Sequence, residues 1–476
     1  MTAQTHDISY DAVMSRKNEI MLKSVGIDYS TYALGPIAFD YERMMRETAY
    51  DFAEIQRIQQ YVHVGNTPMI ELRNITRLVR QTAPAGKGAR IFIKDEASNP
   101  SGSFKARRAS VSVYHAHRMG YKGIITATSG NYGAAVASQA AMKGVKCIVV
   151  QEIYDSRGIG QPEVLEKGRA CEAYGAQVMQ LTVGPELFFV MLRTLEETGY
   201  FNASLYTPFS ISGIETLGYE VVQDIRRMAG RDPDVVVVTH AGGGNLTGTV
   251  RGLRRAEAND THVVAASVDL SALHMASDQD FNRKSFTTGH TGFGVPFAVI
   301  PDRSDVPRNA ARPLRYMERY VTVTQGEVFY TTEMLAQMEG LERGPAGNTA
   351  LSAAISLARE LDQDQIIVIQ ETEYTGAGKH PNPQLTFARK MGVEVRRGDP
   401  RENLPGKTIV IPEDLSQISA VEVNMDDLRT RYLRHAVSGL NRPLEAHEIR
   451  YLAEETNSSP EFVLSVVGES APHNAA

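Results

Sequence analysis

Apolar and polar positions follow two rhythms in this chain. From about residue 7 to 65 they mix at helical spacing, with many charges and no cluster of reactive side chains. Beyond that point short apolar runs alternate with amphipathic stretches. ARIFIKDE (89–96) predicts a strand, followed by a helix from Ser103 to about Met119. GIITATS (123–129), KCIVVQE (146–152) and AQVMQLT (176–182) predict further strands. Between and after them YGAAVASQAAMKG, PEVLEKGRACEAYG and GPELFFVMLRTLEETG read as helices. A second set follows: a helix in GIETLGYEVVQDIRRMAG, the strand DVVVVTH, a helix after GGGNLTGT, and the strands HVVAASVD and QIIVIQET. This alternation predicts right-handed βαβ units and open parallel sheets, arranged as two α/β lobes with a cleft between them. Residues 270–325 show little periodicity and much Gly, Pro, Thr and Arg. A long stretch of that kind inside a compact protein points to function rather than to a linker. After about residue 412 the pattern turns helical and charged, and GESAPHNAA reads as a disordered tail.

Composition narrows the class. A chain of 476 residues exceeds what one hydrophobic core usually supports, so two or three domains are expected. A net charge of −6 gives no case for nucleic acid or an anionic membrane as partner. The two cysteines, Cys147 and Cys171, exclude a disulfide framework and a cysteine-rich zinc site, and suit a reducing, cytoplasmic setting. Both read as core residues rather than acyl-carrying nucleophiles. The opening MTAQTHDISYDAVMSRKNEI lacks the apolar centre of a signal peptide, and the apolar runs fall short of the ~20 residues that span a bilayer.

Against this background SNPSGSFKARRAS (98–110) stands out. Asn99, Pro100, Ser101 and Gly102 predict a turn, and Ser103 a helix N-cap. Lys105 then projects from the first helical turn, where the helix dipole and the charges of Arg107 and Arg108 disfavour its protonated form. A neutral amine is a nucleophile that forms a Schiff base with a carbonyl. The competing reading is a lysine on a solvated helix face.

Three other stretches share the design of a strand, a turn of small residues and a helix. In TATSGNYGAAVA (126–137) the free amides of the helix start suit a carboxylate or phosphate, and Asn131 can donate to a ring oxygen. An ordinary cap by Ser129 explains only part of that run. In DVVVVTHAGGGNLTGTV (234–250) three glycines let main-chain amides close around a phosphate. The dinucleotide fingerprint would need glycine at Thr247, and a Walker loop would need lysine at Thr249. In IIVIQETEYTGAGKH (366–380) Thr375 can face a heteroaromatic nitrogen, with Glu373 as its rival.

A lysine, an anion-binding turn, a phosphate loop and a ring-nitrogen partner suit pyridoxal phosphate. SGSFKARRA, TSGNYGAAVA, GGGNLTGT and TGAGKH, in that order, resemble the tryptophan-synthase β-like family, the fold type II pyridoxal-phosphate enzymes. The resemblance covers about residues 65–390. It implies two open, twisted, mainly parallel sheets with flanking helices and the cofactor in the cleft between lobes. Residues 66–102 and 200–411 would form a larger cofactor domain and 103–199 a smaller mobile one, with helical extensions at 1–65 and 412–476. It further implies that Lys105 carries the cofactor covalently and that Asn131 holds the phenolic oxygen. Gly242, Gly243, Gly244, Asn245 and Leu246 would bind the phosphate, and Thr375 would face the ring nitrogen. Thr128, Ser129, Gly130 and Asn131 would take the substrate carboxylate.

Other segments narrow the family. VGIDYSTYALGPIAFDYERMM, SFTTGHTGFGVPFA, PDRSDVPRNAARPLRYMERY and LERGPAGNTALSAA resemble the 2-amino-4-ketopentanoate thiolase β-subunit family over most of the chain. That likeness implies cleavage of 2-amino-4-oxopentanoate with coenzyme A to acetyl-CoA and D-alanine in ornithine degradation. It also implies a small α subunit as partner, in an assembly built on a β homodimer or an α2β2 form. The alternatives are a threonine synthase or serine/threonine dehydratase within the same fold, and a non-catalytic nucleotide-binding α/β protein. Arg303, Arg308, Arg312 and Arg315 either meet the phosphates of coenzyme A or form an interface or solvated loop. His290 either acts on the γ-ketone or thiol or is a structural histidine.

Overall fold

The structure is a computed structural model and describes residues 7–128, 130–184, 186–270, 285–287, 294–374 and 381–468. Its strands, in chain order, are β1 (Met69–Glu71), β2 (Arg90–Asp95), β3 (Gly123–Thr128), β4 (Lys146–Tyr154), β5 (Gln177–Thr182), β6 (Phe201–Asn202), β7 (Val235–Thr239), β8 (His262–Val268), β9 (Arg319–Val323), β10 (Ile366–Glu371), β11 (Glu394–Arg397), β12 (Thr408–Ile411) and β13 (Val421–Glu422). The larger sheet runs β1-β2-β10-β7-β8-β9-β13, the smaller β5-β4-β3-β6, and β11 and β12 pair apart. The smaller sheet is all parallel. The larger one is parallel except at its edges, where β1 and β13 run antiparallel to their neighbours. Continuous Val and Ile runs put β7 and β10 at its centre, because helices cover both faces there.

Helices on the sheets pack closely where glycine allows it. Pro208–Ala229 lies against Gly244–Arg255; a Cβ on Gly218 would strike the carbonyl of Thr249, and one on Gly252 the carbonyl of Glu215. Beneath this pair sits a buried ion network. Arg107 is fully buried and donates to both oxygens of Glu96, at 2.7 Å each, and to both of Glu220, at 2.9 and 2.8 Å. Lys94, also fully buried, donates to Asp224 and to the Thr67 carbonyl, each at 2.7 Å. The network ties β2, the helix Lys105–Arg118 and the helix Pro208–Ala229 into one body.

Both chain ends pack onto this body. Arg16 holds the N-terminal helices Tyr10–Ser15 and Lys17–Val25 to the helix Glu186–Thr198 through Glu196, at 2.7 and 2.9 Å. At the other end stand the helices Met425–Ala436, Ala446–Thr456 and Pro460–Gly468. No helix among the described residues is long and apolar enough to cross a membrane.

Three local expectations change. The helix expected from Ser103 starts at Lys105, and Ser103 does not cap it: its backbone is extended and its hydroxyl is buried without a partner. Residues 319–323, inside the stretch read as aperiodic, form β9, because RYVTV is rich in β-branched and aromatic residues and pairs with both β8 and β13. The C-terminal segment contributes β13 to the large sheet before its helices begin.

Replacing Arg107 by Met leaves the fully buried carboxylate of Glu96 without its cation, while Glu220 keeps only the Lys94 cation, at 3.0 Å. We expect a loss of about 3–5 kcal/mol of stability, read as a lower urea midpoint at pH 7 with the slope of the transition unchanged.

Candidate active site

The ends of β2, β3, β7 and β10 open onto one cavity of about 290 Å³ between the two sheets, lined from both sides by residues such as Thr128, Glu152, Thr239 and Thr372. Parallel strands in α/β sheets present their carboxyl ends, and the turns that follow, to ligands in this way.

Lys105 enters from the end of β2. Its loop turns back through Ser101 and Gly102, both with positive φ (66° and 70°). It is then stitched to the end of β10: the Phe104 amide donates to the Thr372 carbonyl at 3.1 Å, and the Tyr374 amide to the Gly102 carbonyl at 2.7 Å. Lys105 lines the cavity as the first residue of its helix. Burial pushes the amine down to about 7, helped by the charges of Arg108 and Lys167 and opposed by Glu373. Arg107 takes no part, because Glu96 and Glu220 neutralise it; this corrects the expectation that both arginines act on the lysine.

The turn after β3 is built around a threonine. Thr128 Oγ1 accepts from the amides of Gly130, at 3.0 Å, and Gly133, at 3.2 Å. Asn131 starts the next helix, and its side-chain oxygen is buried without a partner. Gly130 has no room for a side chain, since a Cβ there would lie 2.5 Å from Cδ and 3.5 Å from Nζ of Lys167. A buried ammonium therefore backs this turn.

The glycine loop follows β7. Gly243 has φ +85°, and no side chain caps the helix that starts at Gly244, so its first amides are left for a ligand. A Cβ on Gly242 would strike the Tyr206 hydroxyl, one on Gly243 the Pro313 ring, and one on Gly244 the Arg108 guanidinium. The Asn245 side-chain nitrogen donates to Gln370 at 2.9 Å while its oxygen is buried without a partner, and Leu246 is buried in the core and offers only backbone to the cavity.

The structure thus brings together Lys105, Thr128, Gly130, Asn131 and the Gly242–Leu246 loop, all on the cavity wall. Ser129, His290 and Thr375 lie outside the described residues. Glu373, the rival to Thr375, is buried and bridges to Ser103 at the Lys105 loop. Burial, with the neighbouring carboxylates of Glu373 and Asp95, holds Glu371 far above the usual carboxylate range.

The four arginines separate. Arg312 is spent on Glu455, Asp302 (2.9 Å) and Tyr432, and Arg315 on Glu454 (3.0 Å) and Glu455 (3.4 Å). Arg308 lies beside a second, smaller cleft against Asp302. Arg303 lines the main cavity over the Phe297 ring, with Nε and Nη2 buried and unpartnered. Sequence reading passed over Glu152, Lys167 and Asp305, which also line the cavity. Glu152 is marked only by its charge on an otherwise buried strand, and Lys167 by nothing, since its helix carries several charges on a partly exposed face. Burial pushes the thiols of Cys147 and Cys171 up to about 12, which fits their core role.

These groups fit a phosphorylated ring aldehyde: an amine that loses its proton near pH 7, an uncapped glycine-rich helix start and an unpartnered amide oxygen face one space. The comparisons agree. Residues 61–372 match the family described as pyridoxal-phosphate dependent enzyme. A 2-amino-4-ketopentanoate thiolase beta subunit from an unknown prokaryotic organism is 64% identical over 462 residues, 97% of this chain and 98% of its own. One from Acetoanaerobium sticklandii is 64% identical over 464 residues, covering 97% of this chain and 99% of its own. The crystal structure of a threonine deaminase from T.th. superposes with a TM-score of 0.51 at 23% identity, over 68% of this chain and 96% of that one.

A buried amine lowered to about 7 weakens the fold most below that pH and ceases to do so above its unfolded value of 10.5. The ligand-free chain is therefore expected to gain about 2–4 kcal/mol relative to Lys105→Met between pH 7 and 10.5. Urea unfolding of both proteins across that range measures it, and parallel curves would contradict it.

Proposed function

The chain belongs to the pyridoxal-phosphate dependent enzyme family, and from that premise we propose that it is the β subunit of a 2-amino-4-ketopentanoate thiolase. In this role it cleaves 2-amino-4-oxopentanoate with coenzyme A to acetyl-CoA and alanine, in ornithine degradation in the cytoplasm, together with a small α subunit. One observation carries the assignment. The family match stops at residues 61 and 372, whereas the 64% identity to thiolase β subunits runs over 97% of the chain and so takes in both helical ends. A threonine synthase or dehydratase reading explains the cavity and leaves those ends without a purpose.

When bound, pyridoxal phosphate supplies an electron sink for charge that develops at the α- and β-carbons of the substrate. The remaining work falls to the chain. Lys105 would anchor the cofactor and take the α-proton of the substrate, a role that requires the neutral amine favoured by its burial. The amides of Gly242–Leu246 hold the phosphate, with Arg108 beside Gly244. Asn131 orients the phenolic oxygen. Amides of the Thr128–Asn131 turn, backed by the Lys167 ammonium, hold the substrate carboxylate and so fix the α-hydrogen toward Lys105. Thr375 and His290, from the family resemblance, would serve the ring nitrogen and the γ-ketone. Arg303, with two guanidinium nitrogens still unpartnered, is the arginine left to meet a phosphate of coenzyme A.

Purified chain co-expressed with its small subunit should form acetyl-CoA from 2-amino-4-oxopentanoate. Keto-acid release from serine or threonine without coenzyme A would favour the dehydratase reading instead. Lys105→Ala should lower turnover by about 10³-fold or more and abolish the visible absorbance of bound cofactor. A variant that keeps that absorbance would remove Lys105 from its role.

A further inference from the structure

We propose that Glu152 is the proton carrier of the carbon–carbon cleavage: it takes the thiol proton of coenzyme A and returns it to the β-carbon of the substrate. The proposal rests on the thiolase reading and deepens it. Thiolysis forms a bond from sulfur to the γ-carbon and breaks the bond between β- and γ-carbons. The electron pair stays on the β-carbon, and one proton must pass from sulfur to that carbon to make the methyl group of alanine. No oxidant or reductant enters. Lys105 holds the α-proton during this step, so a second group is needed.

Among the described residues the cavity offers few. Asp305 accepts from the Ser204 hydroxyl at 2.6 Å and faces Arg303 and Arg108. The Tyr206 hydroxyl lies against Gly242, and the His240 ring stands edge-on to Tyr320 beside the glycine loop; both are on the phosphate side. Lys167 is paired with Glu163. Glu152 differs from all of these. It is the first residue of β4 beyond the end of β3, one past Gln151, which pairs with Thr128, and it lines the cavity beside the turn assigned to the substrate. Its carboxylate accepts one long hydrogen bond, from the Gly184 amide at 3.3 Å. Leu187 and Phe188 from the next helix line the cavity with it, an apolar wall suited to a thiol and an acetyl methyl.

The charges around it are Glu186 on that same helix, the Lys167–Glu163 pair on the helix Pro162–Ala173, and Lys105 across the cavity. Burial, then Glu186, raises the Glu152 carboxyl to about 7, against a lowering by the Gly184 amide. A group that exchanges its proton near neutrality suits both halves of the task.

The test uses the cofactor-loaded enzyme with its small subunit and compares wild type, Glu152→Gln and Glu152→Asp. Glu152→Gln should lose about 10²–10⁴-fold in acetyl-CoA formation, while exchange of the substrate α-hydrogen with D₂O, measured without coenzyme A, stays within a few-fold of wild type. Wild-type turnover should fall as the pH drops through about 7, and Glu152→Asp should restore part of both rate and profile. In urea, Glu152→Gln should be more stable than wild type at pH 8 and equal to it at pH 4.5, because it removes a buried carboxylate only where that carboxylate is charged. Retained turnover in Glu152→Gln, or loss of α-exchange in step with turnover, would overturn the proposal. A wild-type enzyme that exchanges the α-hydrogen but never forms acetyl-CoA would instead overturn the thiolase reading.

Discussion

Parallel pairing forces strands far apart in a chain to finish at the same edge of their sheet, and the cavity is a product of that constraint. β2 and β10 run in register from Arg90 and Ile366 to Asp95 and Glu371, so the loop to Lys105 and the segment 372–374 leave the sheet side by side. Backbone hydrogen bonds between Phe104 and Thr372 and between Tyr374 and Gly102 then lock them together. β7 lies on the other side of β10 and delivers the glycine loop to the same edge. In the smaller sheet β3 ends at Thr128 opposite Gln151 and β4 runs on past it, which sets Glu152 at the edge that β3 leaves open. The site is thus assembled by sheet register before any side chain contributes.

Two adjacent arginines show how the fold decides which charges are felt. Arg107 and Arg108 are both buried one turn from Lys105. Arg107 meets two carboxylates in bidentate geometry, so its charge is cancelled and it acts as a fastener. Arg108 is held by neutral groups, the Ser210 hydroxyl at 3.1 Å and the Leu205 carbonyl, so its charge survives. That surviving charge lowers the lysine and borders Gly244, where an anionic ligand would in turn be attracted. One helical turn therefore supplies a structural cation and a functional one from the same dipeptide.

The legible parts of the sequence were those in which local chemistry has one solution. DVVVVTHAGGG can only be a buried strand running into a turn that needs glycine, and SNPSGSFK can only be a turn into a helix start. Both stand where they were expected, with the helix beginning two residues later than Ser103 suggested. Ser103 shows the limit: a serine ahead of a helix reads as a cap, yet tertiary bonding of its neighbour Phe104 to Thr372 sets the backbone first. Glu152 and Lys167 were illegible for another reason. Each obeys the pattern of its own element, and only the packing of β4 and of the helix Pro162–Ala173 around Gly130 turns them toward the cavity. Charge partnership is equally non-local. Nothing near Arg312 in sequence announces Glu455, so four arginines that look alike in the chain divide into two fasteners, one at a side cleft and one on the cavity wall.

The terminal helices gain a purpose from that division. The segment carrying Arg303 and Asp305 has no sheet hydrogen bonds of its own to hold it in place. Asp302 turns away from the cavity to Arg312, which is itself fixed by Glu455 and Tyr432 of the C-terminal helices. Arg308 lies over Phe39 and Arg312 over Tyr41, so the N-terminal extension grips the same segment from the other side. Asn202 and Ser204, at the end of the smaller sheet, complete the clamp through the backbone and side chain of Asp305. The wall that presents Arg303 to a ligand is therefore only as rigid as these two extensions make it. Similarity to the thiolase β subunits that runs through both ends is what such a division of labour demands: the sheets place the cofactor chemistry, and the ends hold the wall that a second, anionic substrate would meet.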